Sequence, residues 1–548
     1  MKNYYEEYIP QNLSVYQYFQ KNAENYLNNT AISFYGKNFS YIETLTNINE
    51  LVRALRAHGI KKDDVVASSL PGTPEGIFLI YAINKIGAIY CAFDCRAKKE
   101  EIEETISVFS PKLCFVPDFQ VKEFADITDC NIVYINPAHS IGSFSKLFSY
   151  VADLFTGRKF LVSKKKNLIC YDSFINAVID GEDTTAQIST NNIFGYFYTS
   201  GTTHGRKSII LTNENINAAV IQHKNANKNL KAGDSILNIM PLFTCYSVTI
   251  AVHLPLITGI RVNLIPLINT KKLKNILLKE KPNYFISVPA HWEYFIKSDF
   301  KGCDLSFLKT AIVGGDTMTE KEQKVINDIF KKCNCNNPIV IGYGLSESTS
   351  TATSTVIPSP IGSVGMPLKN TLIGIFETDT DKKVSVGNKG EICICSPSVC
   401  KGYYKEEALN KKLLKIHSDG KMWLHTGDIG YIDESGALFF CERIKRMYVR
   451  FDGTKVSPYS IEQAIIKCPL VSKCLVVGIK DSEHSHGKCA RAYIVLKNNA
   501  NKKTTKEQLY KYFNKHLDEH MVPKELILVE RLPHTVNGKL DYFVDLDK

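Results

Sequence analysis

Phe197-Tyr198-Thr199-Ser200-Gly201-Thr202-Thr203-His204-Gly205-Arg206-Lys207-Ser208 follows an apolar stretch, and its reading decides the fold. Thr199, Ser200, Thr202 and Thr203, two glycines, Arg206 and Lys207 share one short loop. A phosphate chain needs hydroxyl and backbone donors at close range, glycines that permit the approach, and a cation. A plain Ser/Thr/Gly loop is the bland alternative, and the composition favours phosphate. The loop lacks the G-x-x-x-x-G-K-[ST] pattern, so a P-loop NTPase fold is not supported.

Five further segments work outward from this loop. Gly342-Tyr343-Gly344-Leu345-Ser346-Glu347 puts an aromatic ring and a carboxylate at a predicted strand end, suited to a base and to Mg²⁺. Trp423-Leu424-His425-Thr426-Gly427-Asp428 places an acceptor for sugar hydroxyls in a turn. Glu442-Arg443-Ile444-Lys445-Arg446 and Asp452–Pro458 follow. Leu532–Asp541 holds an Asn537-Gly538 turn with Lys539 at its tip. Taken singly, each is weak: Asp428 reads as a solvated turn aspartate and Lys539 as a solubilising charge.

Around these segments the pattern is α/β. Val65–Leu70, Ala88–Phe93, Leu113–Val116 and Ile132–Ile135 read as buried strands, with helices over Phe78–Asn84 and Lys99–Val108. Ile42, Leu45, Ile48, Val52 and Leu55 mark one face of a helix stopped at Gly59. A second strand series runs through Ser235–Met240, Tyr284–Val288, Thr310–Val313 and Ile339–Tyr343. Short strands and turns make Gly365–Phe440 β-rich. Ile461–Ile466, Lys473–Ile479, Ala490–Leu496 and Lys506–Leu517 form a small α+β set. The predicted architecture is α/β, with a β-rich subdomain and a small α+β domain toward the C-terminus.

Composition narrows the function. The 548 residues are 44% hydrophobic and 22% charged, which excludes wholesale disorder and rod-like folds. Lys and Arg exceed Asp and Glu by 67 − 56 = 11, which suits anionic partners without requiring nucleic acid. The opening residues are charged and tyrosine-rich, unlike a secretory signal, so the sixteen scattered cysteines read as reduced, buried thiols of a cytoplasmic protein. No apolar stretch is long enough to span a bilayer. Phe144, Leu147, Phe148, Val151, Leu154 and Phe155, followed by Arg158, Lys159 and Lys164–Lys166, read as a surface helix packed on the body. The second reading is peripheral membrane contact. Cys393 with Cys395 on one strand face, Cys333 with Cys335 in an Asn-rich turn, and His484-Ser485-His486 in a surface loop lack zinc-site spacing.

In order and spacing, the motifs resemble the adenylate-forming (AMP-binding) superfamily of acyl-CoA synthetases and adenylation domains. The resemblance runs from about Tyr41 to Asp541. Pro241–Phe243, Gly314-Gly315, Gly362–Pro367, Gly390-Glu391-Ile392 and Lys401-Gly402-Tyr403 fall into the same series. It implies that Thr199, Ser200, Gly201, Thr202, Thr203, Lys207 and Gly315 hold ATP, with Tyr343 at the adenine and Asp428 and Arg443 at the ribose. Glu347 would bind Mg²⁺, with Thr202 as a second candidate ligand. Ser346, usually Thr, would touch the α-phosphate. Lys539 would bridge the attacking carboxylate and the α-phosphate, making Lys539, Glu347, Ser346 and Arg443 the catalytic set. Lys445 matches the hinge, which would divide the chain into an adenylation core (1–444), a large N-terminal body of two α/β sheet subdomains plus a β-rich subdomain, and a small mobile α+β C-terminal lid (445–548). Tyr246, Pro289 and Gly314 would line the acyl pocket.

The resemblance implies an acid–thiol ligase that forms acyl-AMP, releases pyrophosphate and makes a thioester with CoA. A stand-alone enzyme loading the phosphopantetheine of an acidic carrier protein in trans is the alternative, since the chain reaches Lys548 without a carrier pattern. A non-catalytic acyl-nucleotide sensor is a third reading. Thr244 stands where the series has His, Glu442 where it has Gly, and His204-Gly205-Arg206-Lys207-Ser208 where it has Gly-x-Pro-Lys-Gly. The stretch Phe243–Ser247 lacks the aspartate that would pair with an α-amino group, which favours a fatty or aromatic acid.

Overall fold

Strands buried on both faces call for covering helices, and in the computed structural model of this chain helices alternate with the central strands. It describes residues 12–128, 130–141, 167–177, 188–199, 207–266, 269–484, 486–497, 502–534 and 540–542. The helix expected over Phe144–Phe155 lies outside these residues with its basic tail. So do Ser200, Gly201, Thr202, Thr203, His204, Arg206 and Lys539.

The chain divides into two compact units. The first comprises Met1–Gly201, Gly205–Ile373 and Ile394–Leu424; the second comprises Thr202–His204, Gly374–Cys393 and His425–Lys548.

Two sheets build the first unit. The seven-stranded sheet runs Leu168–Cys170, Asn131–Ile135, Leu113–Pro117, Val65–Ser68, Ile89–Ala92, Ile193–Tyr198, Ser208–Thr212 in spatial order. Every pairing is parallel except the last, which folds back antiparallel after the hydroxyl-rich loop. The nine-stranded sheet has a parallel centre, Arg261–Leu264, Ser235–Asn238, Tyr284–Ser287, Thr310–Val313 and Val340–Tyr343. In both series the expected strands stand within a few residues of their predicted bounds.

Local sequence sets the helix ends. Ser40 and Glu43 close a capping box on Tyr41–Ala57, and Thr319 with Glu322 closes another on Glu320–Lys332. Thr73 caps Pro74–Ile86 with Pro74 in the first turn, and Gly87 ends it at φ 81°. The buried face of Tyr41–Ala57 is Tyr41, Thr44, Ile48, Leu51, Val52, Ala54 and Leu55. Ile42, expected on that face, is 51% exposed. The apolar series fits a helical face but starts one residue late, because Tyr41 takes the inward position and donates its hydroxyl to the Leu256 carbonyl.

Ser247–His253 is a π-helix that leads into Leu254–Ile257. Pro255 cannot donate a backbone hydrogen bond to the turn before it, and a widened turn accommodates that loss.

The β-rich region is a five-stranded sheet ordered Leu372–Phe376, Gly390–Cys395, Met422–Ile432, Leu414–Ile416, with Leu438–Arg443 also paired to Met422–Ile432. The boundary between the two units passes through its strands. Further on, Val471–Lys480, Lys488–Leu496 and Glu525–Leu528 form a three-stranded sheet. Its core takes Ile461 and Ile465 from one helix and Leu509 and Phe513 from another, against Val476, Ala492 and Ile494.

All sixteen cysteines are free thiols; eleven are buried and none is fully exposed. Cys333 and Cys335 belong to the apolar core beside Phe330 and Ile339. No helix among the described residues is long and apolar enough to cross a membrane.

Candidate active site

The hydroxyl-rich loop leaves one strand and enters its antiparallel neighbour, so the hairpin base fixes its two ends. Tyr198 pairs with Ser208, and the Thr199 N–H donates to the Lys207 carbonyl at 2.8 Å. A third segment then pairs with the returning strand. The Lys401 N–H donates to the Ile210 carbonyl, the Ile210 N–H to Gly402, and the Tyr404 N–H to Ser208. Gly402 adopts φ 116°, and a Cβ there would lie 2.7 Å from the Asn410 amide oxygen.

This pairing aims Tyr403 into the site. Its hydroxyl donates to Glu347 Oε1 at 2.6 Å, and the Lys207 ammonium stands 5.1 Å from its ring centroid. The Cys400 N–H donates to the Glu347 carbonyl at 2.8 Å. One segment thus ties the cation of the loop to the carboxylate after Val340–Tyr343. Tyr403 had no assigned role in the sequence; its signal was its place in the Lys401-Gly402-Tyr403 motif.

Tyr343 ends its strand and is buried. Gly344 follows because a Cβ there would lie 1.9 Å from the Ser350 carbonyl oxygen. Ser346–Ser348 form a single 3₁₀ turn, in which Ser348 Oγ accepts from the Leu345 N–H at 3.0 Å. Thr349 then takes φ 63°, a costly conformation for a β-branched residue, and its hydroxyl donates to the Ser398 carbonyl. Backbone strain is therefore concentrated just after Ser346 and Glu347.

Two of the acyl-pocket candidates, Gly314 and Tyr246, also meet. A Cβ on Gly314 would lie 3.5 Å from the Tyr246 hydroxyl, which is buried and has no hydrogen-bond partner among the described residues. Burial raises the Tyr246 pKa. Pro289 opens the helix Pro289–Phe295 directly after the neighbouring strand, and Gly315 is exposed at φ 82°.

In the second unit, strand register sets Asp428 opposite Arg443. Asp428 is 1% exposed, and Arg443 Nε lies 3.3 Å from Asp428 Oδ1. The turn before Asp428 is braced. The Gly427 N–H donates to Glu391 Oε1 at 3.0 Å, and His425 Nδ1 donates to Glu391 Oε2 at 2.9 Å. Thr426 donates to the Ile392 carbonyl and accepts from the Asp428 N–H. Glu391 is a residue whose motif was legible but whose task was not. Glu391, Cys393 and His425 bring their donor atoms within 4.8 Å of one another, but both Glu391 oxygens are spent on the brace.

Lys445 is exposed in the turn Ile444–Arg446, and its neighbour Arg446 pairs with Glu462 at 2.5 Å. Glu442, where a glycine was expected, is buried and accepts from the Ser457 hydroxyl. His484, read as a solvated loop residue, instead bonds Asp481 at 2.9 Å and stacks on Phe451 at 3.5 Å between centroids. An acidic neighbour and a facing ring draw it back to the fold.

Residues 19–404 match the AMP-binding enzyme family and residues 460–539 match the AMP-binding enzyme C-terminal domain. A long-chain-fatty-acid–CoA ligase of Bacillus subtilis (strain 168) is 27% identical over 94% of this chain and 91% of its own. ATP-bound MatB from Rhodopseudomonas palustris superposes with a TM-score of 0.80 at 19% identity, over 96% of this chain and 97% of that one. The anthranilate CoA ligase AuaEII, solved with anthranoyl-AMP, gives 0.79 at 19% identity, over 97% of this chain and 96% of that one. With the first model spanning most of its length, the chain belongs to the AMP-binding enzyme family and is of the adenylate-forming, acyl-CoA synthetase type.

Proposed function

We propose that this chain activates a carboxylic acid with ATP to acyl-AMP and passes the acyl group to the thiol of CoA. The observation that carries the reading is the Lys207–Tyr403–Glu347 arrangement beside the hydroxyl-rich loop. It places an ammonium and a carboxylate on one aromatic side chain, as a metal-bound triphosphate requires. The donor set fits Mg²⁺: Glu347 offers hard oxygen, and the Tyr403 hydroxyl occupies only Oε1. Bound there, the ion would offset triphosphate charge and steady the departing pyrophosphate.

In this scheme Thr199, Ser200, Thr202, Thr203 and Lys207 bind the β- and γ-phosphates. Tyr343 and Gly315 border the adenine, and Ser346 contacts the α-phosphate. Asp428 accepts from the ribose hydroxyls, with Arg443 holding its carboxylate. Lys539 draws the acid's carboxylate against the α-phosphate, offsetting the repulsion of two anions. A carboxylate oxygen bonds to the α-phosphorus, and the bond from that phosphorus to the β-bridging oxygen breaks. Next the thiol sulfur bonds to the acyl carbon, the carbon–oxygen bond breaks, AMP leaves and the thiol proton passes to solvent. Lys539 has no task in the second step, which suits a lid (445–548) turning on a core (1–444) at Lys445. The relatives' described substrates, fatty and aromatic acids, agree with a neutral acyl pocket of Tyr246, Pro289 and Gly314.

Pyrophosphate release across a panel of carboxylic acids, with and without CoA, tests the proposal. Acid-dependent release that CoA accelerates is the expected result. Release without CoA turnover would move the acceptor to a carrier protein, and no release with any acid would overturn the enzyme reading.

A further inference from the structure

The helix Asn213–Ala226 follows the strand that returns from the hydroxyl-rich loop, and two buried amide side chains seven residues apart, Asn215 and Gln222, share one face of it. Both reach the turn Ser396–Val399, which the Val399 N–H closes by donating to the Ser396 carbonyl at 3.1 Å. Asn215 Nδ2 donates to the Pro397 carbonyl at 2.9 Å and to the Val399 carbonyl at 2.8 Å. Gln222 Nε2 donates to Ser396 Oγ at 2.9 Å. The same turn also reaches the site. The Thr349 hydroxyl donates to the Ser398 carbonyl, and the first N–H after the turn, that of Cys400, donates to the Glu347 carbonyl at 2.8 Å. Three residues later Tyr403 reaches the Glu347 carboxylate.

Capping alone does not account for Asn215. Its Oδ1 accepts from the Thr212 N–H at 2.9 Å, which closes the capping box at the helix start. An acidic side chain would do that equally well and would suit the positive end of the helix better. Only an amide adds two N–H donors, and both are spent on Pro397 and Val399. Asn215 is 4% exposed, so a replacement without donors would leave two buried carbonyls short of partners.

We propose that Asn215 is a positioning residue for the ATP and Mg²⁺ site: it fixes the turn Ser396–Val399 and, through that turn, the place of Glu347 and Tyr403, with Gln222 as its support. The inference rests on the acid-activating reading above, in which Glu347 holds the ion. Asn215 touches neither nucleotide nor metal; its effect passes through the backbone from Pro397 to Cys400.

Calorimetric titration of ATP into the whole chain, with Mg²⁺ and separately with EDTA, and with no acid present, tests this without turnover. Asn215→Asp keeps the cap and replaces both donors with an oxygen facing two carbonyls. It should weaken ATP binding in Mg²⁺ by roughly tenfold and change binding in EDTA by less than about twofold. Pyrophosphate release should need correspondingly more Mg²⁺. Asn213→Ala is the control on the same helix: Asn213 bonds Val15, Asn84 and Asn192 rather than the turn. It should lower the thermal midpoint and leave the ratio of the two affinities as in wild type. If Asn215→Asp does not fold, Gln222→Met loosens the same turn through Ser396 and should shift that ratio about threefold in the same direction. Equal weakening in Mg²⁺ and in EDTA, or no weakening in either, would reduce Asn215 to a structural role and overturn the proposal. Wild type that binds no ATP would instead overturn the acid-activating reading beneath it.

Discussion

Tyr403 donates to Glu347 while the Lys207 ammonium stands over its ring, so one side chain links the ammonium and the carboxylate that the proposal sets at the phosphates. A hydrogen bond to a charged group is worth about 1.5–3 kcal/mol, so Tyr403→Phe should lower kcat/KM for ATP roughly tenfold to a hundredfold. A titration of pyrophosphate release against Mg²⁺ should show a raised requirement, and an unchanged curve would separate Tyr403 from the metal carboxylate. Gly344→Ala sets a Cβ 1.9 Å from the Ser350 carbonyl oxygen, a backbone atom that cannot swing away. It should cost about 3 kcal/mol or more and show as a lowered thermal midpoint. At this scale Glu347, Asp428, Arg443 and Lys207 were legible only as members of the motif series, and their roles are proposals. The tasks of Tyr403 and Glu391 were not legible, because they depend on partners 56 and 34 residues away.

Among the elements, the turn carrying Asp428 shows how a strand prepares a site. Glu391 accepts from Gly427 and His425, so the turn is held from the next strand. Glu391→Ala should lose about 1.5–3 kcal/mol per bond, lower the melting midpoint and raise KM for ATP. A variant that melts lower but binds ATP normally would reduce Glu391 to a structural role. Most strands and helices were legible because both periodicities are strong in this sequence. The exposed Ile42 was misplaced because apolar type alone does not say where a helical face begins. The π-helix Ser247–His253 has no such periodic signature; Pro255 is the only local sign of it.

Across the whole molecule, the first unit carries histidines held neutral by burial. The pKa of His223 falls to about 4, that of His253 to about 3 and that of His291 to about 4, from an ordinary 6.5. Below pH 6.5 the unfolded chain binds these protons and the native chain does not, so stability falls with pH down to about 4. Denaturant midpoints between pH 7 and 4 should follow that slope, and His223→Gln should make it shallower. The motif series led to a boundary at 444/445, whereas the grouping of Gly374–Cys393 with His425–Lys548 was not legible, since it arises from strand pairing across long loops. Lys539→Ala should abolish acyl-AMP formation while sparing transfer from preformed acyl-AMP to CoA. Equal loss in both single-turnover assays would remove the lysine from its role.

The acyl-AMP route itself is tested most directly by following oxygen from a carboxylic acid labelled with heavy oxygen in both carboxylate positions. Attack on the α-phosphate, followed by thiol attack on the acyl carbon, predicts one labelled oxygen in each AMP released and none in pyrophosphate. Label in inorganic phosphate together with ADP, or unlabelled AMP, would contradict the account.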